Sequence, residues 1–268
     1  MKYRLFVSDF DGTLGKAPDR IEPETVEAIK EYERRGGIFA VCTGRMFASI
    51  RPICLKYGLK GLVIAYQGAM IGDIETGKVV FSGGIEYSLA AEIVNYLLKT
   101  EGVSVLSDID DVMYVQERTP YIDFYEHACK VKGVCVENLA EFITRKKSTV
   151  LKVGGIGTVE LADKLTAELN EKYAGRLVVN NGAPMFVEVV DKRFDKKFSV
   201  EFLAKHFGVP YDEIIAVGDS TNDIELLNGE WHGVAVGDAR EELKKVAKEI
   251  TVPYADRPVE YLLKKYCL

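Results

Sequence analysis

The chain has 268 residues, 47% hydrophobic and 28% charged, with a formal net charge of −6. This is ordinary globular composition, long enough for one large domain or two modest ones, and its acidic balance argues against a broad nucleic-acid or anionic-membrane surface. No apolar stretch reaches membrane-spanning length, the start Met1-Lys2-Tyr3-Arg4 has no apolar signal region, and five cysteines without a Cys-x-x-Cys pair suit a reducing cytosol rather than a zinc site or disulfide framework.

The predicted elements begin with a strand over Arg4–Ser8 and a helix from about Pro23 to Arg35, opened by Pro23 and stopped by Gly36-Gly37. A strand over Ile38–Cys42 leads to a helix carrying Phe47, Ile50 and Ile53 on one side, with Pro52 as a local conflict. The strand Leu62–Ala65 and a hairpin over Met70–Phe81, turning at Glu75-Thr76-Gly77-Lys78, follow.

From about Gly83 the texture changes. Helix Ser88–Lys99, strands near Val103–Leu106 and Val112–Val115, helix Tyr121–Cys129, strand Val150–Val153, helix Val159–Tyr173 and strands Leu177–Asn180 and Met185–Val190 read as an inserted α+β domain. Short turns such as Asp108–Asp111 favour an antiparallel sheet there. The basic cluster Arg145-Lys146-Lys147 reads as a solvated turn. Strand–helix alternation then resumes: helix Lys196–Phe207, strand Ile214–Val217, helix Asp223–Leu227, strand Val234–Val236, helix Arg240–Ala247, strand Ile250–Val252 and helix Val259–Tyr266. Alternation of this kind predicts a parallel, doubly wound α/β core sheet, with the core over 1–82 and 191–268 and the insert over 83–190.

Four segments with chemistry-bearing side chains stand at predicted strand or helix ends. Asp9-Phe10-Asp11-Gly12-Thr13 places two carboxylates two residues apart behind the first strand. In an open α/β sheet that end is where ligands bind. Thr43-Gly44-Arg45 follows the second strand, Lys196 opens a helix, and Gly218-Asp219-Ser220-Thr221-Asn222-Asp223 follows the strand Ile214–Val217. Taken singly, Thr-Gly is a common loop and a lysine at a helix start is usually a surface residue. The last segment is more specific, since it gathers more acid and amide groups than a turn needs.

Together the four resemble the haloacid dehalogenase superfamily of phosphohydrolases, and most closely its Cof-type subgroup, subfamily IIB. The subgroup's Lys-Gly-x-Ala-Leu-x-x-Leu…Gly-Ile pattern aligns with Lys196–Leu203 and Gly208-Val209 and selects Lys196, not Lys197, as the motif lysine. The resemblance implies a Rossmann-like core with an inserted α+β cap that sets substrate specificity. It implies Asp9 as nucleophile, forming an aspartyl-phosphate, and Asp11 as general acid and base. Thr43, Gly44, Lys196 and Asn222 would hold the phosphoryl oxygens, and Thr13 would order the loop. Mg²⁺ would be held by Asp9, the Asp11 backbone carbonyl and Asp219, with Asp223 as a further or supporting ligand.

The implied reaction is phosphomonoester hydrolysis of a small phosphorylated metabolite, with a sugar phosphate as the expected class. A cytoplasmic monomer or small homo-oligomer is expected, with no nucleic-acid or membrane partner. A phosphomutase of the phosphomannomutase type is the alternative within enzymes, and an inactive sensor or scaffold on the same fold is the alternative outside them. Dehalogenation is disfavoured because Asp11 is present. Arg45 either contacts substrate or pairs with an acid of the core, the latter being the expectation. Gln67-Gly68-Ala69 resembles the subgroup's Asn-Gly-Ala turn and reads as a turn before the hairpin. Lys197, Asp238 and Trp231-His232 depart from the subgroup pattern, the last as a loop variation without an assigned role. Asp108–Asp111, Met113, Tyr114 and Gly182–Met185 are candidates for reading the leaving group.

Overall fold

The computed structural model describes residues 1–16, 19–181 and 184–268. The chain divides into two compact units, Met1–Phe81 with Asp195–Leu268, and Ser82–Phe194. The sequence reading placed the two crossings at 82/83 and 190/191. In the structure the second crossing falls later because Asp191 still pairs with Leu177 in a ladder, and Arg193 folds back onto the Asp191 carboxylate at 2.8 Å.

The first unit opens with strand β1 (Leu5–Asp9), every residue buried, and helix α1 (Pro23–Arg34). Val26, Ile29 and Tyr32 make the buried stripe of α1. Then come β2 (Ile38–Cys42), α2 (Phe47–Lys56), β3 (Leu62–Ala65), β4 (Met70–Asp73) and β5 (Val79–Ser82). Helix α2 runs through Pro52. The carbonyl that proline leaves without its helical donor belongs to Ala48, an exposed residue.

The inserted unit contains α3 (Tyr87–Leu98), β6 (Ser104–Ile109), β7 (Val112–Val115), α4 (Pro120–Cys129), β8 (Val134–Cys135), α5 (Leu139–Lys146), β9 (Val150–Ile156), α6 (Val159–Lys172), β10 (Leu177–Asn180) and β11 (Phe186–Asp191). Its sheet has the order β10-β11-β9-β6-β7-β8. The expected antiparallel pairing holds from β10 to β7, whereas β7 and β8 pair in parallel. Strand β8 and helix α5 were not anticipated. Arg145 and Lys146 therefore form the last turn of a helix capped by Asn138, not a turn, and Lys146 pairs with Asp110 at 2.9 Å. Val105, Ile109, Val153, Val187 and Val189 pack with Ile93, Leu97, Ile143, Leu165 and Leu169 in one apolar core.

A buried polar group lies apart from that core. The Lys152 ammonium donates to the Tyr125 hydroxyl at 2.7 Å and to Glu188 at 3.1 Å, and lies 3.5 Å from Asp108. Asp108 is wholly buried and neither carboxylate oxygen has a hydrogen-bond partner among the described residues. Burial pushes it up to about 6, against the pull of Lys152. A carboxyl raised on folding favours the folded state when protonated, so its stabilising contribution is lost as pH rises through the folded value. Asp108→Asn is accordingly expected to melt higher than the parent at about pH 8, with the gap closing toward about pH 5. Thermal unfolding of both chains across that range checks this; a constant difference would contradict it.

The chain returns to the first unit through α7 (Lys196–Phe207), β12 (Ile214–Gly218), a single 3₁₀ turn at Thr221–Asp223, α8 (Ile224–Leu227), β13 (His232–Ala235), α9 (Glu241–Val246), β14 (Glu249–Ile250) and α10 (Pro258–Tyr266). The sheet order is β14-β13-β12-β1-β2-β3-β4-β5. Pairing is parallel from β14 to β3 and turns antiparallel at β3–β4. From β1 the chain winds outward through β2 and β3, and from the adjacent β12 it winds the other way through β13. That reversal opens a crevice at the carboxyl ends of β1 and β12, the place where doubly wound sheets bind ligands. Among the described residues, no helix is long and apolar enough to cross a membrane.

Candidate active site

Asp9 is the last residue of β1 and only 4% exposed. Beyond it the chain must turn sharply. Gly12 has φ +87°, and a Cβ there would lie 2.5 Å from Asp219 Oδ2, so glycine lets the loop close onto the end of β12. The Thr13 hydroxyl donates to Asp219 Oδ1 at 2.9 Å, which joins the two strand ends.

Helix α7 delivers the lysine. The Asp195 side chain caps it by accepting from the Phe198 N–H at 2.7 Å, which leaves Lys196 as its first residue. An ammonium there opposes the helix dipole, so carboxylates must hold it. Lys196 Nζ donates to Asp9 Oδ1 at 2.7 Å and to Asp223 Oδ1 at 2.6 Å, and all three side chains are buried. The other oxygen of Asp223 accepts from the backbone N–H groups of Asp219 and Ser220, both at 3.1 Å. Burial would push Lys196 down, but Asp223 and then Asp9 override it and hold the ammonium well above its ordinary value.

The carboxylates outnumber that cation. Asp9, Asp219 and Asp223 present ligand oxygens within 4.8 Å of one another. Burial, then the Asp223 charge, raise Asp9 well above the usual carboxylate range despite Lys196. The same two causes push Asp219 up to about 6. Three acids against one ammonium leave an excess of two negative charges when all are ionised. Hard oxygen donors with that excess fit a divalent cation of the Mg²⁺ type. Burial makes the ionisation of Asp9 depend on nearby positive charge.

The second strand end brings Thr43, buried, whose Oγ1 accepts from the Arg45 N–H at 3.2 Å. Gly44 carries no Cβ because the Gln67 carboxamide occupies that space. The Asp11 side chain is not in the acidic cluster. It is paired at two points by Arg45, whose guanidinium also reaches Asp19. Asn222 is exposed in the 3₁₀ turn after β12, close in sequence to the cluster.

A family profile for haloacid dehalogenase-like hydrolases matches residues 6–263. The chain belongs to the haloacid dehalogenase-like hydrolases. It is 27% identical to an HMP-PP phosphatase of Serratia proteamaculans, over 93% of this chain and 89% of that one. It is 26% identical to a 5-amino-6-(5-phospho-D-ribitylamino)uracil phosphatase of Bacillus subtilis, over 98% and 97%. A solved Thermotoga maritima structure superposes with a TM-score of 0.85 at 29% identity, covering 98% and 97%. This haloacid dehalogenase-like hydrolase is a phosphatase.

Gln67 was read as part of a turn before the hairpin, and Tyr66–Gly68 form a 3₁₀ turn directly ahead of β4. Sequence reasoning did not show the conformation of that turn: Tyr66, Gln67 and Gly68 adopt φ of +53°, +59° and +123° in succession, and Gly68 packs against the Asp195 carbonyl just ahead of Lys196. Two non-glycine residues held left-handed in a row is a costly arrangement that the surrounding packing must enforce. Asp19 was not singled out; no local pattern shows that an acid eight residues beyond Asp11 shares its arginine. Trp231 is buried with its indole N–H on the Leu226 carbonyl at 2.7 Å, and His232 pairs with Glu249 at 2.8 Å. The first packs the start of β13 against α8 and the second joins β13 to β14.

Proposed function

We propose that this hydrolase is a Mg²⁺-dependent phosphomonoesterase that works through an aspartyl-phosphate. The observation that carries this reading is the Lys196 ammonium shared by Asp9 and Asp223 beside Asp219, at the sheet's switch point. Asp9 attacks phosphorus and the bond to the ester oxygen breaks. Asp11 gives its proton to the departing alkoxide, then accepts one from the water that attacks the aspartyl-phosphate. Inorganic phosphate leaves and the Asp9 carboxylate is restored.

Lys196, the Thr43 hydroxyl, the Gly44 N–H and the Asn222 amide hold the phosphoryl oxygens and stabilise the charge that spreads over them. Mg²⁺ held by Asp9, Asp219 and Asp223, with the Asp11 carbonyl, would offset repulsion between these acids and an anionic ester. Every one of these residues lies in the unit Met1–Phe81 with Asp195–Leu268, which we read as the catalytic core.

The inserted unit is read as the cap. Within its candidate segment Asp108 and Met113 are enclosed, which leaves Asp110, Asp111 and Tyr114 with accessible surface. Of Gly182–Met185, the first two lie outside the described residues, and Pro184 and Met185 have accessible surface. Two relatives described above are named as phosphatases of HMP-PP and of 5-amino-6-(5-phospho-D-ribitylamino)uracil, and the expected class here is a small phosphorylated metabolite, with sugar phosphates first. Phosphate release from sugar phosphates and from those two compounds, with Mg²⁺ and then with EDTA, tests the reading. Chelation should bring turnover to background and added Mg²⁺ should restore it. Full activity in EDTA would contradict it.

A further inference from the structure

Arg45 is the charged residue at the strand ends that the reaction above leaves without a task. Its Nε donates to Asp11 Oδ2 at 2.8 Å and its Nη2 to Asp11 Oδ1 at 2.7 Å, a two-point fork. The remaining arm, Nη1, donates to Asp19 at 2.6 Å. The guanidinium carbon stands 4.9 Å from the centre of the Phe10 ring. The backbone beneath it is pinned on both sides: the Arg45 N–H donates to Thr43 Oγ1 at 3.2 Å and its carbonyl accepts from the Tyr66 N–H at 3.0 Å. Asp19 is held in turn, its carbonyl accepting from the Tyr57 hydroxyl at 3.2 Å.

The side chain so gripped needs the grip. Asp11 is 51% exposed, against 23% for Arg45 and 13% for Asp19. A half-exposed carboxylate on a short side chain would otherwise spread over several rotamers. We propose that Arg45 is a positioning residue that sets where the Asp11 carboxylate stands, with Asp19 as the anchor that fixes Arg45. The inference rests on the role given to Asp11 above.

The fork has a chemical consequence. Both Asp11 oxygens accept from guanidinium N–H groups, so one must be released and take up a proton from solvent before it can pass that proton to the departing alkoxide. The planar guanidinium can keep the other. A lysine cannot reproduce the fork, because a single ammonium offers a point charge without the paired geometry. Removing the fork therefore harms the step in which Asp11 supplies a proton. That step matters for an ester of a weakly acidic alcohol and hardly at all for one of an acidic phenol.

The test uses the full chain with Mg²⁺ and two esters, the best sugar phosphate found by screening and p-nitrophenyl phosphate. Asp11→Asn serves as reference. Arg45→Met and Arg45→Lys are each expected to lose about tenfold more kcat on the sugar phosphate than on the nitrophenyl ester, with little change in KM. Asp19→Asn should shift the same ratio by less. Arg45→Met added to Asp11→Asn should cost nothing further on the sugar phosphate. Equal losses on both esters, or a loss confined to KM, would overturn the proposal and place Arg45 on the substrate. The functional reading fails separately, if the parent chain releases no phosphate or if Asp11→Asn itself spares the sugar phosphate.

Discussion

Asp9→Asn is expected to lower turnover by about 10³-fold or more while leaving the protein folded. The amide matches the carboxylate in size but has no anionic oxygen to attack phosphorus. The unusual part of the expectation concerns stability. Burial and the Asp223 charge hold Asp9 well above the usual carboxylate range, so in the metal-free protein its ionised form is a net strain on the fold. Lys196 keeps Asp223 at 2.6 Å when Asp9 becomes an amide. The thermal midpoint without divalent cation should therefore equal or exceed that of the parent. Phosphate-release rates and melting curves on the same preparation check both halves. An active variant would remove the nucleophile assignment. An inactive variant that melts well below the parent would mean that Asp9 matters for folding first.

Lys196→Met makes the opposite prediction for stability. The side chain is 1% exposed and bridges two buried carboxylates. Removing the cation leaves Asp9 and Asp223 uncompensated beside Asp219. Breaking a buried pair from one side costs about 3–5 kcal/mol, because the remaining charge stays buried. The loss should shrink on acidification, as the stranded carboxylates take up protons. Activity should fall with it, since the same ammonium faces the phosphoryl group in the proposed reaction. Denaturant unfolding at neutral and acidic pH, followed for parent and variant, reads the effect. A variant as stable as the parent at neutral pH would show that the Lys196 ammonium is not what compensates the buried Asp9 and Asp223 carboxylates.

Much of this arrangement was legible in the amino-acid sequence where local rules act alone. Ile38–Cys42, Leu62–Ala65 and Lys196–Phe207 are found with the predicted ends. The two strands are short, largely apolar runs, and the helix is bounded by a capping Asp195 and by Gly208 in the left-handed region, φ +62°. The acids after β1 and β12 were legible for the same reason, since parallel strands place their carboxyl ends together.

What escaped depends on partners distant in sequence. Strand β8 has two exposed residues and exists only because β7 lies alongside it. Strand β13 begins at His232, two residues before the predicted Val234, because its register is set by Ile215 of β12. The helix predicted from Asp223 starts instead as a 3₁₀ turn, with Asp223 turned back to accept from the Asp219 and Ser220 N–H groups. Arg45 was correctly expected to pair with an acid. Its two partners, Asp11 and Asp19, both follow β1 and are far from Arg45 in sequence, so only the folded chain identifies them.

The central claim is that Asp9 carries the phosphoryl group during turnover. Acid quenching of the full chain in mid-reaction with Mg²⁺ and its best ester, followed by peptide mass spectrometry, tests it directly. A phosphate adduct on the peptide containing Asp9, reducible by borohydride and absent from Asp9→Asn, is the predicted result. Steady turnover with no adduct at any quench time, or an adduct on another residue, would contradict the account.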